Sequence, residues 1–187
     1  MPPLRTFIAF DTPEPIRNDM AAVQSELKKS NADVKWESEQ KFHATITFLG
    51  NIEEHILPSV LRSIESTVRK YPSFEISYET IGAFPSIEHP RVLWIGCKNR
   101  DGVLENLKNE LDTALLQYGF EKEERAFHPH VTMGRLRSQS GLQNLTPIMK
   151  KLTFEPRKAV IHEIAVMKSV LTREGSHYAI LTSLPLL

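Results

Sequence analysis

His43 and His130 are the residues in this sequence best placed to do chemistry. Each opens a His-x-Thr triplet inside an apolar run: Phe42-His43-Ala44-Thr45-Ile46-Thr47-Phe48-Leu49-Gly50, and His128-Pro129-His130-Val131-Thr132-Met133-Gly134-Arg135. Both runs read as β-strands, in which successive side chains point to opposite faces. Alternation predicts His43, Thr45 and Thr47 on one face, with Ala44, Ile46 and Phe48 behind them. It predicts His130 and Thr132 together, with Val131 and Met133 behind. An imidazole beside a hydroxyl can hold a phosphate oxygen and move a proton, and two such faces suit a phosphate pocket.

With 7 His and 26 Ser or Thr in 187 residues, chance alone supplies about one His-x-Ser/Thr. Context therefore decides. Both hits lie in predicted strands, both are soon followed by Gly, and they stand 87 residues apart, close to half the chain. His55, His89, His128, His162 and His177 lack the pattern.

The surrounding elements must position the two strands. Leu4 to Phe10 reads as a strand, and Ile16, Met20, Val23 and Leu27 give an amphipathic helix ending near Ser30-Asn31. Asp33 to Trp36 is a short strand, and Gly50-Asn51 is expected to stop the first His strand. Pro58 suits the first turn of a second helix, with Val60, Leu61, Ile64 and Val68 as its buried stripe. Phe74 to Tyr78 alternates as a half-buried strand. Gly82-Ala83-Phe84-Pro85 is expected to interrupt, and Val92 to Cys97 forms the next strand. A third helix carries Leu104, Leu107, Leu111, Ala114 and Leu115 and ends at Gly119. Ser138 to Gly141 is a loop, and Leu145 to Leu152 a short helix. Ile161 to Met167 and His177 to Leu181 are strands joined by a turn near Arg173-Glu174-Gly175. Trp36, Trp94 and the phenylalanines are expected in the core, with Tyr178 and Phe84 the best candidates for stacking on a base.

The fold class expected from this order is α+β: two pseudo-symmetric lobes, each an antiparallel sheet with helices on its outer face, around a central cleft. Residues 1–187 form a single bilobal domain, with the His motifs at 43–46 and 130–133 marking an internal duplication. Lys plus Arg equals Asp plus Glu at 23 each, which argues against coating long nucleic acid but leaves room for an RNA end in a local positive pocket. Cys97 is the sole cysteine, so no intrachain disulfide forms and a reducing cytoplasm is the expected location. No apolar run approaches membrane-spanning length, so no membrane association is expected. The N-terminal residues do not read as a signal peptide.

The two His segments resemble the paired HxTx motifs of the 2H phosphoesterases, and among these the chain most resembles the RNA 2′,3′-cyclic phosphodiesterases, formerly called 2′-5′ RNA ligases. Arg5-Thr6-Phe7-Ile8-Ala9-Phe10 resembles that family's first strand. Gly82-Ala83-Phe84-Pro85 with Pro90-Arg91-Val92-Leu93-Trp94 resembles its middle segment. Lys168-Ser169-Val170-Leu171, then Gly175 and Tyr178, resembles its C-terminal hairpin. Gly134 departs from the pattern, standing where a small aliphatic residue or Ala is usual.

The resemblance implies hydrolysis of a 2′,3′-cyclic phosphodiester on an RNA end or a nucleotide to a 2′-phosphomonoester, by a monomer with no cofactor and no metal. Water must lose a proton as it attacks phosphorus, the departing O3′ must gain one, and the two must lie in line. By resemblance His43 is the general acid and His130 the general base. Thr45 and Thr132 can donate to the phosphate, and Arg135 matches an arginine that helps hold substrate. Strict alternation puts Arg135 on the wrong face, so it is expected past the regular strand. One imidazole must be neutral and the other protonated, which predicts a bell-shaped pH–rate profile.

Three rivals stand beside this reading. A metal hydrolase would use His128 and His130 with His162, His177 or Cys97. An ATP-driven ligase lacks a phosphate-binding Gly loop, and Lys98-Asn99-Arg100-Asp101-Gly102 has one residue too many for a nucleotidyl-transfer motif. A non-catalytic RNA-end or nucleotide-binding module would use the same cleft. Within the enzyme reading, another small cyclic or 2′-5′ linked phosphodiester is the alternative substrate.

Overall fold

The computed structural model describes residues 4–172 and 175–187. The strands are β1 (Leu4–Asp11), β2 (Val34–Trp36), β3 (His43–Ile52), β4 (Phe74–Pro85), β5 (Pro90–Lys98), β6 (His130–Leu136), β7 (Arg157–Ile161), β8 (Glu163–Thr172) and β9 (Gly175–Pro185). The helices are α1 (Glu14–Lys28), α2 (Leu57–Val68), α3 (Val103–Leu115) and α4 (Leu142–Lys151). The strands join in one curled, antiparallel sheet of order β7-β4-β5-β6-β3-β1-β8-β9, with β2 added on β6. The α+β class and the two antiparallel halves agree with the sequence reading. The halves are β7-β4-β5-β6 and β3-β1-β8-β9, and they meet where Ala44 of β3 pairs with Val131 of β6.

Each half draws strands from both the first and the second half of the sequence, and so do the helix layers. α1 lies behind β6, where the Gln24 side-chain amide donates to the Met133 carbonyl at 3.0 Å. Asp19 of α1 pairs with Arg157 of β7 at 2.6 Å. α1 and α4 pack together, and α2 and α3 pack together on the other half, α2 touching β9. The apolar positions spaced three and four apart supply these contacts: Ile16, Met20 and Leu27 of α1, Val60, Ile64 and Val68 of α2, and Leu104, Leu107, Leu111 and Leu115 of α3 are all buried.

Several boundaries differ from those expected. β3 continues through Gly50 and Asn51 to Ile52. β4 runs on through Gly82-Ala83-Phe84-Pro85 instead of being interrupted there. Gly82 keeps the strand going because a Cβ there would lie 2.1 Å from the Trp94 indole, so only Gly lets that ring lie across the strand. The segment expected as one strand from Ile161 divides into β7 and β8. Arg173 and Glu174 of the expected turn lie outside the described residues.

A buried ion pair fixes α3 behind β3. Lys108 and Asp112, one helical turn apart, have side chains only 7% and 6% exposed and form a salt bridge. Asp112 also accepts from the Thr47 hydroxyl of β3 at 3.1 Å. Asp112→Leu strands the Lys108 ammonium without a counter-charge and is expected to cost roughly 3–5 kcal/mol. Lys108→Met combined with Asp112→Leu is expected to recover most of that in urea unfolding. A double variant no more stable than the single one would contradict this account.

Candidate active site

Ala44 and Val131 are both 0% exposed, and side chains opposite one another in an antiparallel pair share a face. Both therefore point to the helix side. Extending the register by one places His43 across from Thr132 and Thr45 across from His130. These four half-buried side chains share the opposite face, which lines the cleft. The two imidazoles are diagonal neighbours, a relation that sets backbone positions about 7–8 Å apart.

Each imidazole is tied by the backbone two residues before it. The His130 Nδ1–H donates to the His128 carbonyl at 2.7 Å. His43 makes a hydrogen bond with the Lys41 backbone that favours its protonated ring. With the His130 Nδ1 carrying the proton, its Nε2 is the nitrogen able to accept one. Tyr178 meets His43 edge-on at 5.1 Å and Phe84 meets His130 edge-on at 4.9 Å, so the arrangement repeats in the two halves. Phe7 adds a stacked contact to His43 at 5.0 Å.

The Thr47 and Arg135 positions correct the simple alternation. In β3 the register against β1 slips so that Ala9 faces Thr45 and Ile8 faces Thr47, leaving Ile46 as a bulge. The extra residue reverses the faces that follow. Thr47 turns to the helix side and bonds Asp112, while Phe48 turns to the cleft side, where it is 65% exposed. In β6 Trp94 faces Thr132 and Leu93 faces Gly134, so Met133 is bulged. Arg135 lies inside β6, not past it, and the bulge returns it to the face of His130. The Arg135 charge is accordingly felt at His130 and at Tyr178.

A bulge frees a backbone carbonyl that must find another donor. The Met133 carbonyl accepts from the Gln24 side chain at 3.0 Å and from the Glu37 N–H at 2.9 Å. Gln24 is itself only 4% exposed. Gly134 completes the fit: a Cβ there would stand 2.7 Å from Val34 and 2.9 Å from Trp36, so a side chain would push β2 away.

Burial pushes the His43 pKa down to about 4, the Lys41 hydrogen bond partly opposing it and the nearby His130 adding to it. Burial likewise lowers His130; the His128 carbonyl opposes this, while the Arg135 and His128 charges reinforce it. Tyr178 is raised chiefly by burial and then by the Glu37 carboxylate; the Ser176 hydrogen bond and the Arg135 and Arg5 charges pull it back. Lys41 lies 6.0 Å from the Tyr178 ring. Beside His130 an open cavity of about 440 Å³ is lined by Phe84, Trp94, His128, Glu79 and Lys98. His43 does not line it.

Phe7, Phe48 and Trp94 are cleft residues that the sequence reading placed in the core. Trp94 sits 6.1 Å from the His130 ring. The alternation of Arg5-Thr6-Phe7-Ile8 was a usable signal for Phe7, since Ile8 joins the core cluster and Phe7 does not. The rival metal ligands do not converge. His128 meets His130 through its carbonyl, His162 lies against Ser73 at 3.1 Å, and no metal-holding group of three His, Cys, Asp or Glu occurs among the described residues.

The profile of the family described as LigT like Phosphoesterase matches residues 10–94 and again 95–178. The chain belongs to this family, within the 2H phosphoesterase superfamily. The family's RNA 2′,3′-cyclic phosphodiesterase from Thermotoga maritima is 30% identical over 178 residues, 95% of this chain and 93% of that protein. Its counterpart from Methanothermobacter thermautotrophicus is 31% identical over 176 residues, 94% and 95% of the two chains. The crystal structure of TT0787 of Thermus thermophilus superposes with a TM-score of 0.80 at 20% identity, covering 97% of each chain. No helix among the described residues is long and apolar enough to cross a membrane.

Free His43 is expected to titrate near pH 4 in an NMR titration of the imidazole resonances. Inorganic phosphate should move that midpoint up toward the ordinary value of about 6.5, because an anion favours the charged ring. A free-state midpoint at about 6.5 that phosphate leaves unmoved would contradict the burial described.

Proposed function

We propose that this protein is a metal-independent phosphodiesterase that opens 2′,3′-cyclic phosphates at RNA ends or on nucleotides, leaving a 2′-phosphomonoester. The observation that carries the proposal is the pair of imidazoles on one sheet face, each hydrogen-bonded to the backbone two residues before it and each beside a threonine. Homologues named for this activity, about 30% identical over most of the chain, support it. His130 takes a proton from water through Nε2 as the oxygen bonds to phosphorus. The P–O3′ bond breaks, and His43 gives its proton to O3′. Thr45, Thr132 and Arg135 donate to the non-bridging oxygens, where charge accumulates.

The surroundings of the rings support this division of labour. His130 borders the open cavity, through which water can arrive. His43 is enclosed by Phe7 and Tyr178, a setting that suits a proton delivered to a leaving oxygen. Within this reading residues 1–187 act as one duplicated domain, a monomer working in the cytoplasm.

His43→Ala and His130→Ala, assayed separately on 2′,3′-cyclic AMP in EDTA, are each expected to lose on the order of 10²–10⁴-fold in kcat with an unchanged far-UV spectrum. Full wild-type turnover in either variant would remove the acid–base pair, and a wild-type protein that binds but never turns over would leave a binding module. The profile of kcat/KM against pH reports the free enzyme. Both imidazoles lie below their ordinary 6.5, so the bell is expected to peak on the acid side of that value. A chemical step flat from about pH 5 to 9 would refute the scheme.

A further inference from the structure

The register of the His43 half aligns four apolar side chains in one row. Phe48 pairs with Phe7, Phe7 with Met167, and Met167 with Ile180. Paired residues share a face, and the contacts of Phe7 with His43 and Tyr178 fix that face as the cleft side. The row thus crosses β3, β1, β8 and β9. At strand spacings of about 4.8 Å it runs roughly 14 Å. Its middle is sheltered, Phe7 being 3% exposed, but its ends stand open, Phe48 at 65% and Ile180 at 61%. Neither end is needed for the core, and neither is used by the hydrolysis described above.

We infer that this row is a docking track for unpaired bases of a single-stranded RNA upstream of the terminal cyclic phosphate. The inference rests on the cyclic phosphodiesterase reading and narrows its substrate from any nucleotide to an RNA chain end. Three observations select a nucleic acid as the occupant. The track's two open ends flank the candidate active site, because the buried Phe7 between them stacks on His43 at 5.0 Å. Those ends of the track stand too far apart for one base to cover both. Its neighbouring row is cationic and aromatic: Arg5 pairs with Ser169 and Ser169 with Tyr178. The Arg5 and Arg135 charges both act on Tyr178, and Lys41 stands 6.0 Å over its ring; the Glu37 carboxylate, 4.0 Å from Lys41, offsets part of this positive charge. Apolar surface for base faces beside cations for phosphates is the pattern that holds single strands without reading sequence.

The test compares 2′,3′-cyclic AMP with a pentaribonucleotide ending in the same cyclic phosphate, using the full chain. The wild type is expected to favour the pentamer by about tenfold or more in kcat/KM, carried by KM. Ile180→Ser should bring the pentamer to within about twofold of the mononucleotide while leaving mononucleotide turnover unchanged. Phe48→Ser should also raise the pentamer KM. Equal wild-type efficiency on the two substrates, or an advantage that survives Ile180→Ser, would overturn the track. If neither substrate is turned over, the hydrolase reading has failed, and anisotropy of a fluorescein-labelled pentaribonucleotide still decides the track. Binding at least about tenfold weaker in Ile180→Ser supports it, and unchanged binding overturns it. Sedimentation showing a dimer that Ile180→Ser dissolves, with RNA binding unaffected, would assign the row to a second copy of the chain instead.

Discussion

The pairing of Ala44 with Val131 is the constraint on which the rest of the site depends. It joins two four-stranded halves, and both side chains are fully buried. Their burial dictates what the flanking residues do. A slip of one residue in either strand would send an imidazole into the hydrocarbon core and an apolar side chain into the cleft. The hydrophobic pattern therefore specifies the register and the face of the candidate site together.

Beyond that pair, both strands break their alternation within three residues of the histidine, and each of these two breaks is braced from behind by a buried polar side chain on a helix. Gln24 of α1 satisfies the Met133 carbonyl, and Asp112 of α3 holds Thr47. A buried polar group without a partner costs about 1–3 kcal/mol, so these braces make the bulged geometry the favoured one. The outcome is symmetrical in position and asymmetrical in chemistry. Five residues after each histidine the chain presents a side chain to the cleft: a phenyl ring in one half, a guanidinium in the other. One half thus offers the cleft an apolar surface and the other a cation.

The two histidines and their threonines could be read from the sequence because strand period and core pattern agree around them. The helices could be read for the same reason, since Leu104, Leu107, Leu111 and Leu115 all lie on one buried stripe. Thr47, Phe48 and Arg135 were misplaced because a bulge has no composition of its own. What favours it is a side chain far off in sequence: the Gln24 amide 109 residues away for the β6 bulge, and the Asp112 carboxylate 65 residues away for Thr47 in β3. β4 was cut short at Gly82 because Gly usually marks a break, whereas here the missing Cβ makes room for Trp94. The exchange of strands and helices between halves is likewise set by tertiary pairing, as in Phe7 with Met167, which no local pattern encodes.

The site's near-symmetry raises the question of how it holds a single proton in the right place. Burial disfavours the charged form of both rings, and a charge on His130 disfavours one on His43, so the empty site near neutrality is poor in protons. A phosphodiester anion entering between them reverses that balance, because it stabilises one imidazolium at close range in a dry setting. The proton then settles where a positive ring is least opposed by other cations. His130 already feels Arg135 and His128, whereas the cation felt most at His43 is His130 itself. Once His130 is neutral, that opposition vanishes. Neighbouring charge thus weighs against a proton on His130 and, once that ring is neutral, no longer against one on His43, whereas burial, the largest influence on both rings, still opposes a charged His43 and is what the anion has to offset.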